Sequence, residues 1–237
     1  MRKTVEILDL AVAINAKTLN PSILNQDFLK HSGIVPNDWE TAGRPLCSNQ
    51  VSQIAFQNGI SIIAQPRTIT FVEPIGSKPF DQVKVADLAR QYIDRLPNAE
   101  YESVGINPRG HVAFNELDGE ARQYLFQQLL ASGPWLKVGK VPVQASVNFV
   151  YGLDGGQLRL TVTEAALRSQ DSEPVPGILF VANFNRELTE EVGAERLQRL
   201  RQALANWQTN LEGYKELIDK KFLAPYADAT PPTVARE

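Results

Sequence analysis

Between residues 4 and 16 apolar and polar positions alternate, with Leu8, Leu10, Val12 and Ile14 on one side. That is the two-residue period of a β-strand. Asn20 then offers a cap and Pro21 a first helical position, which predicts a short helix over 21–31 closed by Gly33. The stretch "VSQIAFQNGISIIAQPRTITFVEP" reads as a hairpin with strands over 51–57 and 60–73, joined by Asn58-Gly59. That dipeptide suits a type I′ turn, whose two central residues both need positive φ. Pro66 marks the second strand as an edge or a bulge. Residues 83–96 are amphipathic at helical period, with Val85, Leu88, Ala89, Tyr92, Ile93 and Leu96 on the apolar side.

The stretch "YESVGINPRGHVAF" predicts a strand over 101–107 and then a turn at Asn107-Pro108-Arg109-Gly110. A helix over 119–131 follows, capped by Asp118. The last third holds three strand patterns: "VQASVNFVYGL", its return "QLRLTVTEAAL" after Asp154-Gly155-Gly156, and "GILFVANFNREL". A polar loop over 169–176 separates the second from the third. From Glu190 to Phe222 a seam of Leu197, Leu200, Leu204, Trp207, Leu211, Tyr214 and Ile218 repeats at alternating intervals of three and four. A single helix of that length is about 50 Å long, against about 33 Å for a ten-residue strand. The helix must overhang its sheet, bend (Gly213 is the expected place) or meet a second molecule. The Pro-rich tail, 223–237, reads as flexible.

The elements predict an α+β fold: one domain over 1–222 with a mainly antiparallel sheet of hairpin-plus-helix units, the C-terminal helix packed on it. The units fall into two similar halves, about 1–134 and 140–222. The seam residues Trp207, Leu211, Tyr214 and Ile218 are either packed on the chain's own sheet or the interface for a protein partner or a second copy.

Composition narrows the chemistry. The chain has 237 residues, 43% hydrophobic and 22% charged, with net charge −3. No bulk basic field recruits nucleic acid, and Phe149 and Tyr151 have few Lys or Arg beside them, so nucleic-acid binding is not expected. No apolar run approaches the roughly 20 residues that span a bilayer. The N-terminal apolar run is interrupted by Glu6 and Asp9 and does not read as a signal peptide; the expected location is the cytoplasm. One cysteine, Cys47, and two histidines leave no disulfide and few soft metal ligands, and neither a metal site nor a cofactor is expected. Cys47 reads as a semi-buried small residue, and His31, near a helix C-terminus, as structural. The charges at strand positions (Arg67, Glu73, Arg109, Arg186) read as solvated.

The catalytic candidates are His111 with Arg109 and Glu102. A histidine base needs an orienting carboxylate, and an enzyme reading would have these three serve a small anionic substrate in a sheet groove. No phosphate fingerprint precedes a helix here and no Gly-x-Ser-x-Gly elbow occurs, so the leading expectation is a non-catalytic binding or assembly module.

The hairpin over 51–75, the helix over 83–96, "YESVGIN" and the stretch from "GILFVANFNREL" to "KKFL" together resemble a sporadically distributed bacterial family of uncharacterised proteins. That family carries a Gly-hydrophobic-Arg-Tyr-hydrophobic-Asn strand and a second strand ending in acids before a long terminal helix. Here the first reads Val104-Gly105-Ile106-Asn107, without the Arg-Tyr pair, and the second ends on Asn183 and Asn185. The resemblance implies the topology and carries no activity and no catalytic residues.

Overall fold

The computed structural model describes residues 3–114, 119–167, 174–188 and 192–224. These form one antiparallel sheet with helices packed against it. The strands are β1 (Glu6–Ala16), β2 (Leu46–Cys47), β3 (Ser52–Ala55), β4 (Ser61–Gln65), β5 (Thr68–Pro74), β6 (Tyr101–Ala113), β7 (Ser146–Leu153), β8 (Gly156–Leu167) and β9 (Val175–Glu187). Their order across the sheet is β2-β3-β4-β5-β1-β6-β9-β8-β7, which puts β1 and β6 in the middle. The helices are α1 (Gln26–His31), α2 (Val85–Arg95), α3 (Glu120–Gln123, widening into a looser turn over Tyr124–Leu129), α4 (Gly193–Ala205) and α5 (Trp207–Leu217).

One sheet face is buried by the helices. Leu10, Val12 and Ile14 of β1, Ile69 and Phe71 of β5, Val104 and Ile106 of β6, and Phe180 and Ala182 of β9 lie in one core with Val85, Leu88 and Ile93 of α2. Leu200, Leu204, Leu211 and Tyr214 close the core from α4 and α5. Burial of this apolar area, at about 25 cal/mol per Å², is the main force holding the layers together.

Several local expectations change. Asn20 caps only a short turn at Pro21–Ile23; the helix begins later, where the Asn25 side chain accepts from the Phe28 amide at 2.8 Å. The Asn58-Gly59 turn is a three-residue loop: Gly59 donates to the Phe56 carbonyl at 3.0 Å and Phe56 to Ile60 at 2.8 Å. Only Gly59 has positive φ (86°), so the loop is a type I turn with a glycine bulge and not type I′. The expected strand over 60–73 is two strands, with Gln65 opposite Thr68 across a turn at Pro66-Arg67. Proline's fixed φ makes the first turn residue, and the missing N–H falls outside the ladder.

Conversely, the expected turn at Asn107-Pro108 is absent. β6 runs unbroken from Tyr101 to Ala113, paired with β1 from Tyr101 to His111. Pro108 stands opposite Leu10, while pairing with β9 passes from Ile106–Phe184 to Arg109–Val181, leaving out Asn107 and Pro108. The proline's missing donor thus coincides with a lapse in one ladder, and pairing on both sides overrides the local turn preference.

The expected long helix is also divided. α4 ends at Asn206, whose ψ of 10° departs from helical geometry, and α5 follows at once. Asn206 still donates to Gln202 and Asn210 to Asn206, both at 3.1 Å, so the axis is kinked without losing those bonds. The kink lies at Asn206, seven residues before Gly213. The Asp118 cap, most of the 169–176 loop, Glu190 and the tail from 225 lie outside the described residues.

Candidate functional site

The opposite sheet face carries no described helix. β6 supplies Ser103, Gly105, Asn107 and Arg109 there, each opposite Asn15, Ala13, Ala11 and Asp9 of β1. β9 adds Val181, Asn183 and Asn185, and β8 adds Gln157, Arg159 and Thr161. On the far side β5 adds Thr68, Thr70 and Val72. Strand alternation fixes this placement: each of these residues is one step from a core residue. Ala11, Ala13, Asn15, Asn107, Asn183 and Thr161 are half-buried.

This face is polar and mostly uncharged, and its side chains bond to each other. The Thr68 hydroxyl donates to Asn15 Oδ1 at 2.7 Å, and Asn15 Nδ2 donates to the Ser103 hydroxyl at 2.8 Å. Asn183 donates to Asn107 across the ladder gap, and Thr161 donates to Asn148 at 2.7 Å. Each amide keeps further capacity: Asn, Thr and Ser carry more donors and acceptors than one such bond uses.

The three catalytic candidates do not converge. Arg109 Nε donates to Asp9 Oδ2 at 2.9 Å; the arginine is half exposed and the aspartate mostly buried. Glu102 lies where the β1–β6 register shifts between Asn15 and Ala16, and its carboxylate accepts from Arg67 at 2.8 Å. Seven residues of strand, about 23 Å, separate Glu102 from Arg109. His111 is only 2% exposed, opposite Glu6 on β1 and Leu179 on β9. Its Nε2 has no hydrogen-bond partner among the described residues, and its ring packs where only a glycine, Gly177, leaves room. Burial lowers its pKa, against a smaller upward pull from Glu6. His31, by contrast, is exposed, with Nδ1 2.8 Å from the Asp27 carbonyl, and Cys47 is exposed rather than semi-buried.

The seam residues are all occupied within the chain. Leu211, Tyr214 and Ile218 are fully buried and Trp207 is 9% exposed. Trp207 stacks edge-on against Phe80 at 5.7 Å, and the Tyr214 hydroxyl donates to the Phe180 carbonyl at 2.8 Å. Gly110 lies against the same hydroxyl, and burial raises the tyrosine's pKa. The spacing of the seam therefore serves the sheet, and these side chains present no free surface here.

Neither a scan against protein-family models nor a comparison with characterised proteins finds a match to this chain.

Glu73, expected on a solvated face, is instead a core residue. It is 0% exposed, in line with Ile69 and Phe71 on the core face. Its carboxylate accepts from Lys78 Nζ at 2.6 Å and from the Lys84 and Val85 amides at 2.7 and 2.8 Å. It satisfies the first amides of α2 and its charge suits the positive helix end, so its role is structural. The signal was available: strand alternation from Ile69 and Phe71 puts Glu73 inward, four residues from the first and two from the second. Among the described residues no group of three or more His, Cys, Asp or Glu is placed to hold a metal ion. No described helix is long and apolar enough to cross a membrane.

A cleft of about 340 Å³ between α2 and the α4–α5 kink is lined by Phe80, Asp87, Arg90 and Trp207. Its one cation, Arg90, is paired with Asp87 at 3.0 Å, which leaves no free charge from these residues to grip an anion.

Proposed function

We propose that this chain is a non-catalytic binding module that takes a protein partner on the sheet face that carries no described helix. The observation that supports this reading is the row of neutral amides and hydroxyls across β5, β1, β6, β9 and β8. A polar face without a described helix offers hydrogen-bonding capacity, and its neutral groups cost less to desolvate than charges would. The strand order is compatible with two related halves only if β6 belongs to the second, whereas the sequence division at about 134–140 puts β6 in the first. β1 followed inward-to-outward by β5, β4 and β3 is echoed by β6 followed by β9, β8 and β7. α2 follows the first set and α4–α5 the second. Such halves meet at β1 and β6, and the middle of the proposed face lies on that seam. The resemblance to the uncharacterised bacterial family is compatible with this arrangement and adds no activity to it.

The enzyme reading loses support from the same geometry, because Arg109 and Glu102 are engaged elsewhere and His111 is buried with no described hydrogen-bond partner at Nε2. The experiment is site-specific photocrosslinking in a lysate of the source cells, with a photoreactive side chain at Ala13 on the proposed face or at Gln208 on α5. A protein adduct from Ala13, lost on adding Ala11→Arg with the fold intact, supports the reading. Adducts from Gln208 alone would refute it.

A further inference from the structure

The outermost strand on one side, β7, has a free edge that nothing described covers, and we infer that it is a self-association edge: two copies of this chain pair antiparallel through β7. This stands independently of the partner face proposed above. The two edges of the sheet are unlike. On one side the edge strand β2 has two residues, Leu46 and Cys47, which cap β3 by standing opposite Gln53 and Ser52. A very short edge strand is a common way to prevent further pairing. On the other side β7 has eight residues, "SVNFVYGL", and no described strand beside it.

β7 lacks the devices that natural edges use. It has no Lys, no Pro and no charge of either sign, and the uncharged run extends from Val141 to Leu153. Val150 is 54% exposed and Leu153 45%. β7 and β8 join through the two-residue turn Asp154-Gly155, with Leu153 opposite Gly156. Residues flanking such a turn form a hydrogen-bonded pair, and these pairs alternate along the ladder. Odd-numbered residues of β7 therefore bond to β8. Ser146, Asn148, Val150 and Gly152 turn their amides and carbonyls to the open edge.

The occupant is a second copy because the strand is complementary to itself. A two-fold axis at Phe149 puts Asn148 opposite Val150 of the other copy, Val147 opposite Tyr151, and Phe149 opposite Phe149. Aromatic and β-branched cross-strand pairs of that kind stabilise antiparallel ladders. The nearest charges are Lys137 and Lys140 before the strand and Asp154 after it. An antiparallel pair sets the basic end of one copy beside the acidic end of the other, whereas a parallel pair would set like beside like. A neutral edge offers a charged peptide no such discrimination. The same symmetric patch then serves both copies, as a closed two-fold interface requires.

The test is sedimentation equilibrium of the full chain from about 1 to 200 μM, with Val150→Lys and Val150→Pro beside it. Val150→Pro removes an outward amide and leaves the β8 ladder its bonds. The expected result is a monomer–dimer equilibrium that each variant weakens at least tenfold, with unchanged circular dichroism. Amide hydrogen exchange of the wild-type chain gives a second readout that needs no variant: Asn148 and Val150 become protected as concentration rises. A strict monomer at 200 μM, or a dimer indifferent to both variants whose Asn148 and Val150 amides exchange freely, overturns the proposal.

Discussion

The Tyr214 hydroxyl donates to the Phe180 carbonyl at 2.8 Å in the buried core, tying α5 to β9. Gly110 of β6 lies against the same oxygen. One phenol on the terminal helix thus bonds the backbone of β9 and packs against that of β6. Gly110 makes the approach possible, since a Cβ there would lie 2.7 Å from the hydroxyl and 2.6 Å from Val5 Cγ2.

Tyr214→Phe should therefore cost about 1–3 kcal/mol, the penalty of leaving buried polar groups unpaired. Gly110→Ala should cost more than that, and the two changes together less than their sum, because the phenylalanine removes one of the clashes. Urea unfolding of the four proteins of this cycle measures it. Strict additivity would show that the hydroxyl and Gly110 are not in contact.

Glu73 offers a second test. Glu73→Gln keeps the shape and an acceptor for the α2 amides but loses the charge that faces Lys78, 2.6 Å away. We expect a loss of about 1–2 kcal/mol, and about 2–4 kcal/mol for Glu73→Ala, which strips the helix start as well. Thermal unfolding compares them. If the alanine variant matched wild type, the carboxylate would have no structural part.

His111 sets a pH dependence. Its pKa is depressed from the ordinary 6.5 by burial, so the folded state binds the proton less readily than the unfolded chain. The neutral imidazole's contribution is fully present above about pH 6.5 and is lost as pH falls from there through the lower folded value. Unfolding free energies between pH 8 and 5 should show this slope, and His111→Gln should flatten it. An equal slope in the variant would assign the effect to other groups.

Leu211→Ala separates two roles for the helical seam. Leu211 is fully buried in the chain's own core, so its truncation should cost about 2–5 kcal/mol of folding stability, as large-to-small core changes do. The outcome is read from the denaturation midpoint of a dilute sample. A variant of unchanged stability but altered mass in light scattering would restore the interface role.

The elements with unambiguous period were legible without coordinates. The apolar side of α2 is the side that is buried, with Val85, Leu88, Ala89, Tyr92 and Ile93 all in the core. The strands β7, β8 and β9 fall where alternation puts them, because hairpins joined by short turns are decided by neighbouring residues. The Asn58-Gly59 turn lies where the dipeptide predicts it, but its type differs. The dipeptide is compatible with several loops, and the register of Phe56 against Ile60 selects one.

What tertiary pairing decided is of another kind. Asn107-Pro108-Arg109-Gly110 has every local mark of a turn, yet β1 and β9 hold it extended between them. Glu73 is charged, yet Lys78 and the start of α2 make its burial tolerable. The candidate face needs β5 beside β1 and β9 beside β6, contacts between segments tens of residues apart. Local sequence sets φ preferences and the period of each segment, and these are short-range energies. Strand order, the inward charge and the polar face come from partners brought together only when the chain closes on itself, and no window of sequence contains both sides of such a contact.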